Sequence, residues 1–211
     1  MARKTKEEAL VTRARILDAA EHLFQQQGVS GTSLQDIASA AGVTRGAVYW
    51  HFHDKGDLFN AMMDRVCLPM ETESTQRLDR ADDPAPLTTL RDHLLGVLSG
   101  LASDAQLQRV FEIATHKIEY VDELTAVRER HLQIRNDYTD ALERTLRAAQ
   151  RRGHVLRAPS ARHMAIGLHA LLNGLIQNWM LDPQGFDLLP VGRLAIESFL
   201  AGLAQPQRPA D

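Results

Sequence analysis

A short segment between residues 44 and 55 carries side chains suited to reading double-stranded nucleic acid. Arg45 can donate two parallel hydrogen bonds to guanine O6 and N7, and the methyl group of Ala47 can lie against a thymine methyl. Other groups suit phosphate oxygens, which fix the position of a protein on the duplex without reading its sequence. These are the side chains of Thr44, Tyr49, His51 and Lys55 and the backbone N–H groups near Ser33, with Gly46 and Trp50 exposed on the same segment.

The surrounding residues predict a helix-turn-helix that would present this segment to the major groove. Ser33 is a favourable N-cap residue, and a short helix after it would end at Gly42, where a left-handed turn costs glycine little. Thr44 would then cap a second helix over about residues 45–51, whose length is close to the width of the groove. Apolar residues recur at the spacing that closes both helices around one small core, namely Ile37, Ala38, Ala41, Val43 and Val48.

The rest of the chain also shows the period of helices, so an all-α protein of about nine helices is expected. A first helix stops at Gly28, and a long helix begins after Asp54 and reaches about Leu78. Five further helices are predicted at about 87–102, 105–118, 122–152, 160–181 and 188–203. These elements predict an N-terminal three-helix DNA-binding domain over residues 1–55 and a larger C-terminal helical domain over residues 56–211.

Composition restricts any attraction to nucleic acid to a local surface. The 211 residues are 44% apolar and 24% charged, as in an ordinary folded protein, and the formal net charge is −3. An N-terminal arm with Arg3, Lys4 and Lys6 can follow a phosphate backbone or a minor groove, or form a solvated tail. The single Cys67 cannot form an intramolecular disulfide, and no apolar run has the length of a secretion signal or a membrane span. A cytoplasmic protein without a membrane partner is therefore expected.

Nine histidines raise the question of metal binding or catalysis, but their spacing favours neither. His51 and His53 at a helix end face different directions, and no third ligand is in register with them. The sequence has no Gly-x-Ser-x-Gly elbow and no glycine-rich phosphate loop after a strand, and Cys67 has no predictable histidine partner. No catalytic residue, metal or cofactor is therefore expected.

The helix-turn-helix and the helix before it closely resemble one known family. The segments concerned are Thr12-Arg13, Ile16-Leu17-Asp18-Ala19-Ala20, Gly28-Val29, Thr32-Ser33-Leu34-Gln35-Asp36-Ile37-Ala38 and Gly42-Val43-Thr44-Arg45-Gly46-Ala47-Val48-Tyr49-Trp50-His51-Phe52. Together they resemble the tetracycline-repressor (TetR) family. The resemblance implies DNA contacts at Thr44, Arg45, Tyr49 and Lys55, and a ligand domain in the rest of the chain.

Two further segments resemble the multidrug-efflux repressor branch of that family. They are the start Met-Ala-Arg-Lys-Thr-Lys-Glu-Glu-Ala and the segment His116-Lys117-Ile118-Glu119. The resemblance implies a ligand-responsive transcriptional repressor that binds double-stranded operator DNA of an efflux operon. Hydrophobic or aromatic antimicrobial compounds would release it from that operator.

The effector implied by the resemblance is a small hydrophobic molecule, and pockets for such ligands are mostly apolar with few polar groups. By analogy with the family, the ligand-binding residues are predicted to be Leu94, Val97, Phe111, Thr115, Leu142, Leu172, Asn173, Ile176 and Gln177. The apolar members of this set equally fit simple core packing. The polar members equally fit a core with internal hydrogen bonds.

The last two predicted helices are apolar on more faces than one domain needs to bury. Two such helices from each of two chains would make a four-helix bundle, and the resemblance implies the same homodimer. The predicted interface residues are Met164, Gly167, Leu168, Leu171, Gly174, Leu175, Val191, Ala195 and Phe199. A dimer would place two recognition helices about 34–36 Å apart on a near-palindromic operator.

Three other interpretations stay open from the sequence. A regulator of a metabolic operon, or of one that responds to lipids or signals, would share the same domains. A DNA-binding protein that no ligand controls would share the N-terminal domain. A helical ligand-binding sensor without operator function would share the C-terminal domain.

Overall fold

The computed structural model describes residues 6–78, 83–121 and 124–204, and within these ranges the chain forms nine α-helices and no extended sheet. The helices are α1 Lys6–Gln27, α2 Leu34–Ala40, α3 Arg45–His51, α4 Lys55–Leu78, α5 Pro86–Ser103, α6 Ala105–His116, α7 Thr125–Arg151, α8 Ala161–Leu181 and α9 Leu188–Leu203. The predicted all-α class is confirmed. The segment between α6 and α7 is longer than predicted, since α6 ends at His116 and α7 begins at Thr125.

Helices α2 and α3 form the predicted helix-turn-helix, and local hydrogen bonds fix the start of each. Ser33 caps α2 in a capping box, in which Asp36 N–H donates to Ser33 Oγ at 3.2 Å and Ser33 N–H donates to Asp36 Oδ2 at 3.0 Å. Thr44 caps α3 by accepting from Ala47 N–H at 3.1 Å. Gly42 has a φ of +63° between the helices, which is the predicted left-handed turn.

Packing divides the chain into two compact units. The first contains residues 1–69 and 106–133, and the second contains residues 70–105 and 134–211. Helices α4 and α7 each have residues in both units. Most of α6 therefore belongs to the same unit as the helix-turn-helix, although the sequence analysis places everything after residue 55 in the other domain. The functional division at residue 55 stays a prediction.

An apolar core beneath the first four helices holds α3 in place. The rings of Phe24 and Phe59 lie 6.1 Å apart, and Val48 is the residue of α3 that reaches the core. Each buried side chain of this size contributes about 1.5–3 kcal/mol. The other fully buried residues of this core include Ile16, Leu17, Ala20, Ile37, Ala38, Phe52, Leu58 and Met62.

In the second unit, α9 packs against both α5 and α8. Two glycines allow these close approaches. A Cβ at Gly192 of α9 would overlap Leu98 Cδ1 of α5, and a Cβ at Gly167 of α8 would lie 3.3 Å from the Phe199 ring of α9. The buried residues of this core include Leu90, Leu94, Leu98, Leu142, Leu146, Ala165, Leu168, Leu172, Ile176, Ile196 and Leu200.

Candidate functional site

Helix α3 presents the predicted DNA-contacting residues on the outside of the first unit. Arg45, Gly46, Tyr49 and Trp50 are exposed, and Trp50 is 73% exposed. The His51 ring packs edge-on against the Trp50 indole, with centroids 4.5 Å apart. Thr44 is exposed as the cap, and Ala47 is half-buried. The exposed Trp50 indole is therefore accessible to a partner on the same face as Arg45 and Tyr49.

Arg45 and Tyr49 lie one helical turn apart and contact each other. Arg45 Nη2 donates to Tyr49 Oη at 3.1 Å. The guanidinium carbon also lies 5.4 Å from the centroid of the Tyr49 ring, which is the geometry of a cation–π contact. The predicted base-reading group is therefore held beside a residue that the sequence assigns to a phosphate.

An open groove of about 670 Å³ runs beside this pair. It is lined by residues 30–35, by Arg45 and Tyr49, and by residues 53–55. The fold thus brings the α2 cap Ser33 to one surface with Arg45 and Tyr49 of α3 and Lys55 of α4. Such a convergence of polar groups suits a nucleic-acid backbone, whose phosphates follow one another at regular intervals.

Two of the predicted phosphate contacts already have partners inside the groove. Lys55 is only 7% exposed, and its Nζ donates to Thr32 O at 3.2 Å. The Ser33 N–H donates to Asp36, and the hydrogen bonds from the Ser33 side chain and backbone lower the pKa of that carboxyl group. The Lys55 ammonium therefore links α4 to the loop between α1 and α2, and its contact with DNA stays a prediction.

Two arginines of α1 hold this helix against the helix-turn-helix, which sequence reasoning missed. Arg15 Nη2 donates to Ala41 O at 2.6 Å, at the C-terminal end of α2, where a positive charge is favourable. The guanidinium carbon of Arg13 lies 5.1 Å from the Phe52 ring centroid. Of the predicted basic arm, Lys6 is exposed, and Arg3 and Lys4 lie outside the described residues.

Glu21 of α1 is a buried carboxylate that connects three helices of the first unit. It accepts hydrogen bonds from Arg65 Nη2 of α4 at 2.8 Å, and from Arg109 Nε and Gln106 Nε2 of α6 at 2.7 and 3.0 Å. Arg65 also donates to Asp18 at 2.6 Å. Two guanidinium groups thus face two carboxylates, which compensates the cost of burying Glu21. Glu21 and its partners lie far apart along the chain, and no sequence pattern predicted their contacts.

The contact between α1 and α6 continues beyond Glu21. Gln25 Nε2 donates to Glu112 Oε2 at 3.1 Å, and Val29 N–H donates to Lys117 O at 2.9 Å. We call these polar contacts, together with those of Glu21, the α1–α6 seam. It follows α1 from Glu21 past its C-terminal end, so a movement of α6 within this unit would act directly on α1.

The residues predicted to bind a ligand lie in both units. Phe111 and Thr115 belong to α6, and the Thr115 hydroxyl donates to Phe111 O at 2.7 Å within its own helix. In the second unit, Leu94, Leu142, Leu172 and Ile176 are buried, Val97 and Asn173 are half-buried, and Gln177 is exposed. Burial of apolar side chains fits both a packed core and a pocket wall. The ligand-binding role stays a prediction.

A polar cluster of the second unit was not anticipated from the sequence. The Tyr138 hydroxyl lies 2.9 Å from His93 Nε2, and the Tyr138 ring centroid lies 5.7 Å from that of His169. His169 Nε2 in turn lies 2.9 Å from Asn173 Nδ2. Burial raises the pKa of Tyr138 and lowers the pKa of His169, with the charge of Arg135 adding to the latter. The cluster joins α5, α7 and α8 through two side-chain hydrogen bonds and a ring contact.

The predicted dimer-interface residues separate into two groups. Met164 and Leu168 are buried in the core of their own chain, and their assignment to an interface stays a prediction. Gly167 packs against Phe199 of the same chain. Leu171, Gly174, Leu175 and Ala195 are half-buried and Val191 is exposed. Other exposed apolar residues of α8 and α9 are Ile166, Leu181, Leu189 and Leu194.

The histidines at the end of α3 and just after it contact neighbouring protein side chains. His51 packs on Trp50, and His53 Nδ1 lies 3.4 Å from Asp54 Oδ2. In the described ranges, no three histidine, cysteine or acidic side chains converge as a metal ion would require. Across the same residues, none of the helices combines the length and the apolar character needed to cross a membrane.

Known protein families match both the helix-turn-helix and the C-terminal helices. The profile of bacterial regulatory proteins of the TetR family matches residues 16–62, and the profile of the C-terminal region of MAATS-type transcriptional repressors matches residues 85–204. The chain belongs to the TetR family. The family expected from the helix-turn-helix is confirmed, and this TetR-family protein is a transcriptional regulator rather than an enzyme.

Similarity to individual TetR-family members extends over almost the whole chain. The HTH-type transcriptional regulator TtgR of Pseudomonas putida is 40% identical over 193 residues, which are 90% of each protein. The crystal structure of NalD, the secondary repressor of the MexAB-OprM multidrug efflux pump in Pseudomonas aeruginosa, is 37% identical with a TM-score of 0.87 and covers 95% of this chain and 99% of NalD. The complex of SmeT with triclosan is 31% identical with a TM-score of 0.82 and covers 95% and 98%.

Proposed function

We propose that this chain is a dimeric repressor of a multidrug efflux operon, and that hydrophobic or aromatic antimicrobial compounds release it from its operator. The observation that carries the proposal is the similarity to TtgR and NalD over at least 90% of the chain. NalD represses an efflux pump, and SmeT has been solved with triclosan bound. Because the similarity includes the C-terminal helices, it supports a shared type of effector as well as shared DNA binding.

Residues 1–55 read the operator in this proposal. Arg45 and Ala47 contact base edges, and Gly46 and Trp50 approach the duplex on the same face of α3. Phosphate contacts come from the groove beside Arg45 and Tyr49 and from the capped start of α3. Because the operator DNA of a bacterial regulator lies in the cytoplasm, a cytoplasmic location follows from this role.

Residues 56–211 supply the dimer contact. The exposed apolar side chains of α8 and α9 support a four-helix bundle with a second copy, because a soluble monomer gains nothing from exposing them. Gly174 leaves open space on α8, which permits close approach of another helix. The dimer places two copies of α3 about 34–36 Å apart, the separation of adjacent major grooves on one side of the duplex.

Residues 56–211 also bind the effector. In the second unit, Leu94, Leu142, Leu172 and Ile176 supply apolar surface, and the Asn173 amide supplies a polar anchor. A mostly apolar site with few polar groups suits hydrophobic compounds of varied shape.

The α1–α6 seam transmits the effector signal in this proposal. An effector that favours a displaced α6 would pull α1 through Glu21, Gln25 and Val29. Helix α1 is held to the helix-turn-helix by Arg15, so α3 would follow. A preference of about 2–3 kcal/mol for the displaced state would weaken operator binding by about one to two orders of magnitude.

A gel-shift titration on the DNA upstream of the protein's own gene tests the proposal. We expect a specific shift that triclosan reverses, and an Arg45→Ala variant that loses discrimination between this DNA and a scrambled duplex. The absence of a specific shift would contradict a repressor. If triclosan raises the melting temperature of the protein and leaves its operator affinity unchanged, the ligand switch is contradicted.

A further inference from the structure

We propose that Tyr49 is a positioning residue for Arg45, and that its phenol connects base reading to a phosphate contact. The inference rests on the proposed operator function and concerns how α3 achieves sequence specificity. It assigns Tyr49 a role beyond the phosphate contact expected from its position. The inference is based on the hydrogen bond and the cation–π contact between the two side chains on the exposed face of α3.

The hydrogen-bonding capacities of the two groups are compatible with this arrangement. Arg45 Nη2 donates to Tyr49 Oη at 3.1 Å, so the phenol oxygen acts as an acceptor and its own O–H proton points elsewhere. That proton can be donated to a phosphate oxygen. A guanidinium group has several N–H donors, so Arg45 keeps a parallel pair for guanine O6 and N7 while it donates to Tyr49.

The place of the pair in the fold supports the same arrangement. Both side chains line the groove of about 670 Å³ that also contains residues 30–35 and 53–55. A phosphate that follows this groove would pass beside the Tyr49 phenol. One network could then run from the phosphate through Tyr49 to Arg45 and on to the base.

Preorganisation gives the pair its effect on specificity. An exposed arginine samples many rotamers, and it loses this freedom when it binds a base edge. The Tyr49 ring restricts the guanidinium to one side of α3, and the hydrogen bond to the phenol sets its orientation. The helix itself fixes the separation of the two residues at one turn. Arg45 therefore has less rotamer freedom left to lose when it binds a base in the major groove of the DNA.

The test uses full-length protein and a duplex that the wild type selects from a randomised pool. An Arg45→Ala variant identifies the base pair at which discrimination is lost. Discrimination is then measured by fluorescence anisotropy, as the ratio of the Kd values for the duplex with that base pair changed and for the selected duplex. Tyr49→Phe keeps the ring and removes the hydroxyl, so it isolates the hydrogen bond.

We expect Tyr49→Phe to reduce this ratio about threefold to tenfold. In the Arg45→Ala background, Tyr49→Phe should reduce the ratio no further, because the positioned group is already absent. Tyr120→Phe is the matched control. Tyr120 is 51% exposed and Tyr49 is 47% exposed, but Tyr120 lies outside α3, and its variant should keep the wild-type ratio.

Two results would overturn the inference about Tyr49 and leave the proposed function unaffected. Equal loss of affinity for both duplexes, with an unchanged ratio, would restrict Tyr49 to a phosphate contact. Independent effects of the two substitutions on the ratio would also exclude positioning. A wild-type protein that selects no duplex would contradict the proposed function as well. Unchanged melting temperatures of the variants establish that the fold is intact.

Discussion

The Glu21 carboxylate and the Arg109 guanidinium form an ion pair with 2.7 Å between Oε1 and Nε, and the Glu21 side chain is only 6% exposed. The other carboxylate oxygen binds Arg65 at 2.8 Å. A carboxylate buried to this extent is stable only when its charge is compensated and its hydrogen bonds are made. Helices α1, α4 and α6 are therefore held in one relative arrangement by a single side chain.

Replacing Glu21 by Gln should lower the free energy of unfolding by about 1–3 kcal/mol. Both guanidinium groups would lose their shared counter-charge, but they are partly exposed, which limits the loss. Urea denaturation measures the effect as a lower midpoint at an unchanged m value. Asp18→Asn is the control, because Asp18 binds the same Arg65 and is 67% exposed. Its effect should stay below about 1 kcal/mol, and equal effects of both variants would contradict the role of burial.

Replacing Gly192 by Ala should destabilise the second unit by about 1–3 kcal/mol. The added methyl group would overlap Leu98 Cδ1 in a fully packed region between α9 and α5. Thermal denaturation followed by circular dichroism measures the loss. The double variant with Leu98→Val should recover part of it, since the overlapping atom is shortened.

Gly96 of α5 provides the control for that substitution. A Cβ there meets nothing within 4 Å, so Gly96→Ala should be neutral or stabilise the protein by up to about 1 kcal/mol through helix propensity. A destabilising effect of Gly96→Ala as large as that of Gly192→Ala would mean that the overlap with Leu98 is unimportant.

Local contacts explain which parts of the fold the sequence could predict. Ser33, Gly42 and Thr44 act on backbone groups within a few residues, so their types and spacing specify the helix ends of the helix-turn-helix. The pair of Glu21 and Arg109 spans 88 residues. Many charged residues compete for such a partner, and only the three-dimensional packing selects one.

The faces of α8 show a second limit of sequence prediction. Met164 and Leu168 lie in the core of their own chain, whereas Ile166 of the same helix is exposed. Periodicity identifies a helix that is apolar all round, but it does not distinguish the face that packs internally from the face left for a partner. The packing of α9 on α8 makes that distinction. The exposed residues of α3 were easier to predict because one buried anchor, Val48, fixes the orientation of a short helix.

The stability of the protein should fall as the pH falls through the ordinary histidine range, and His169 should account for part of this dependence. Burial and the charge of Arg135 lower the pKa of His169 from 6.5, so the unfolded state binds its proton first as the pH decreases. His169→Gln should reduce the change in melting temperature between about pH 7.5 and pH 5.5. His163→Gln, at an exposed position of α8, should retain the wild-type change. If the melting temperature depends on pH identically in the wild type and in His169→Gln, the prediction is contradicted.

Replacing Lys55 by Ala should lower the free energy of unfolding by about 1–3 kcal/mol. The variant loses the buried stem of the lysine and leaves the Thr32 carbonyl without the ammonium group that now binds it. Lys6→Ala, at an exposed position of α1, should change stability by less than about 0.5 kcal/mol. Urea denaturation of both variants makes the comparison, and a Lys55→Ala protein as stable as Lys6→Ala would exclude the structural link. The salt dependence of operator binding tests the phosphate contact separately. Loss of one phosphate contact should reduce the slope of log K against the logarithm of the salt concentration by about one.

Replacing Leu194 by Glu should convert the proposed dimer into a monomer. Leu194 is 69% exposed on α9, and a charge there would have to be buried in the proposed four-helix bundle. Light scattering at micromolar concentration should give the mass of one chain for the variant and of two chains for the wild type. Operator affinity should fall about tenfold or more, because the two copies of α3 would no longer be linked. Leu10→Glu, on an exposed position of α1 outside the proposed bundle, should remain dimeric, and a wild type that is itself monomeric would contradict the bundle.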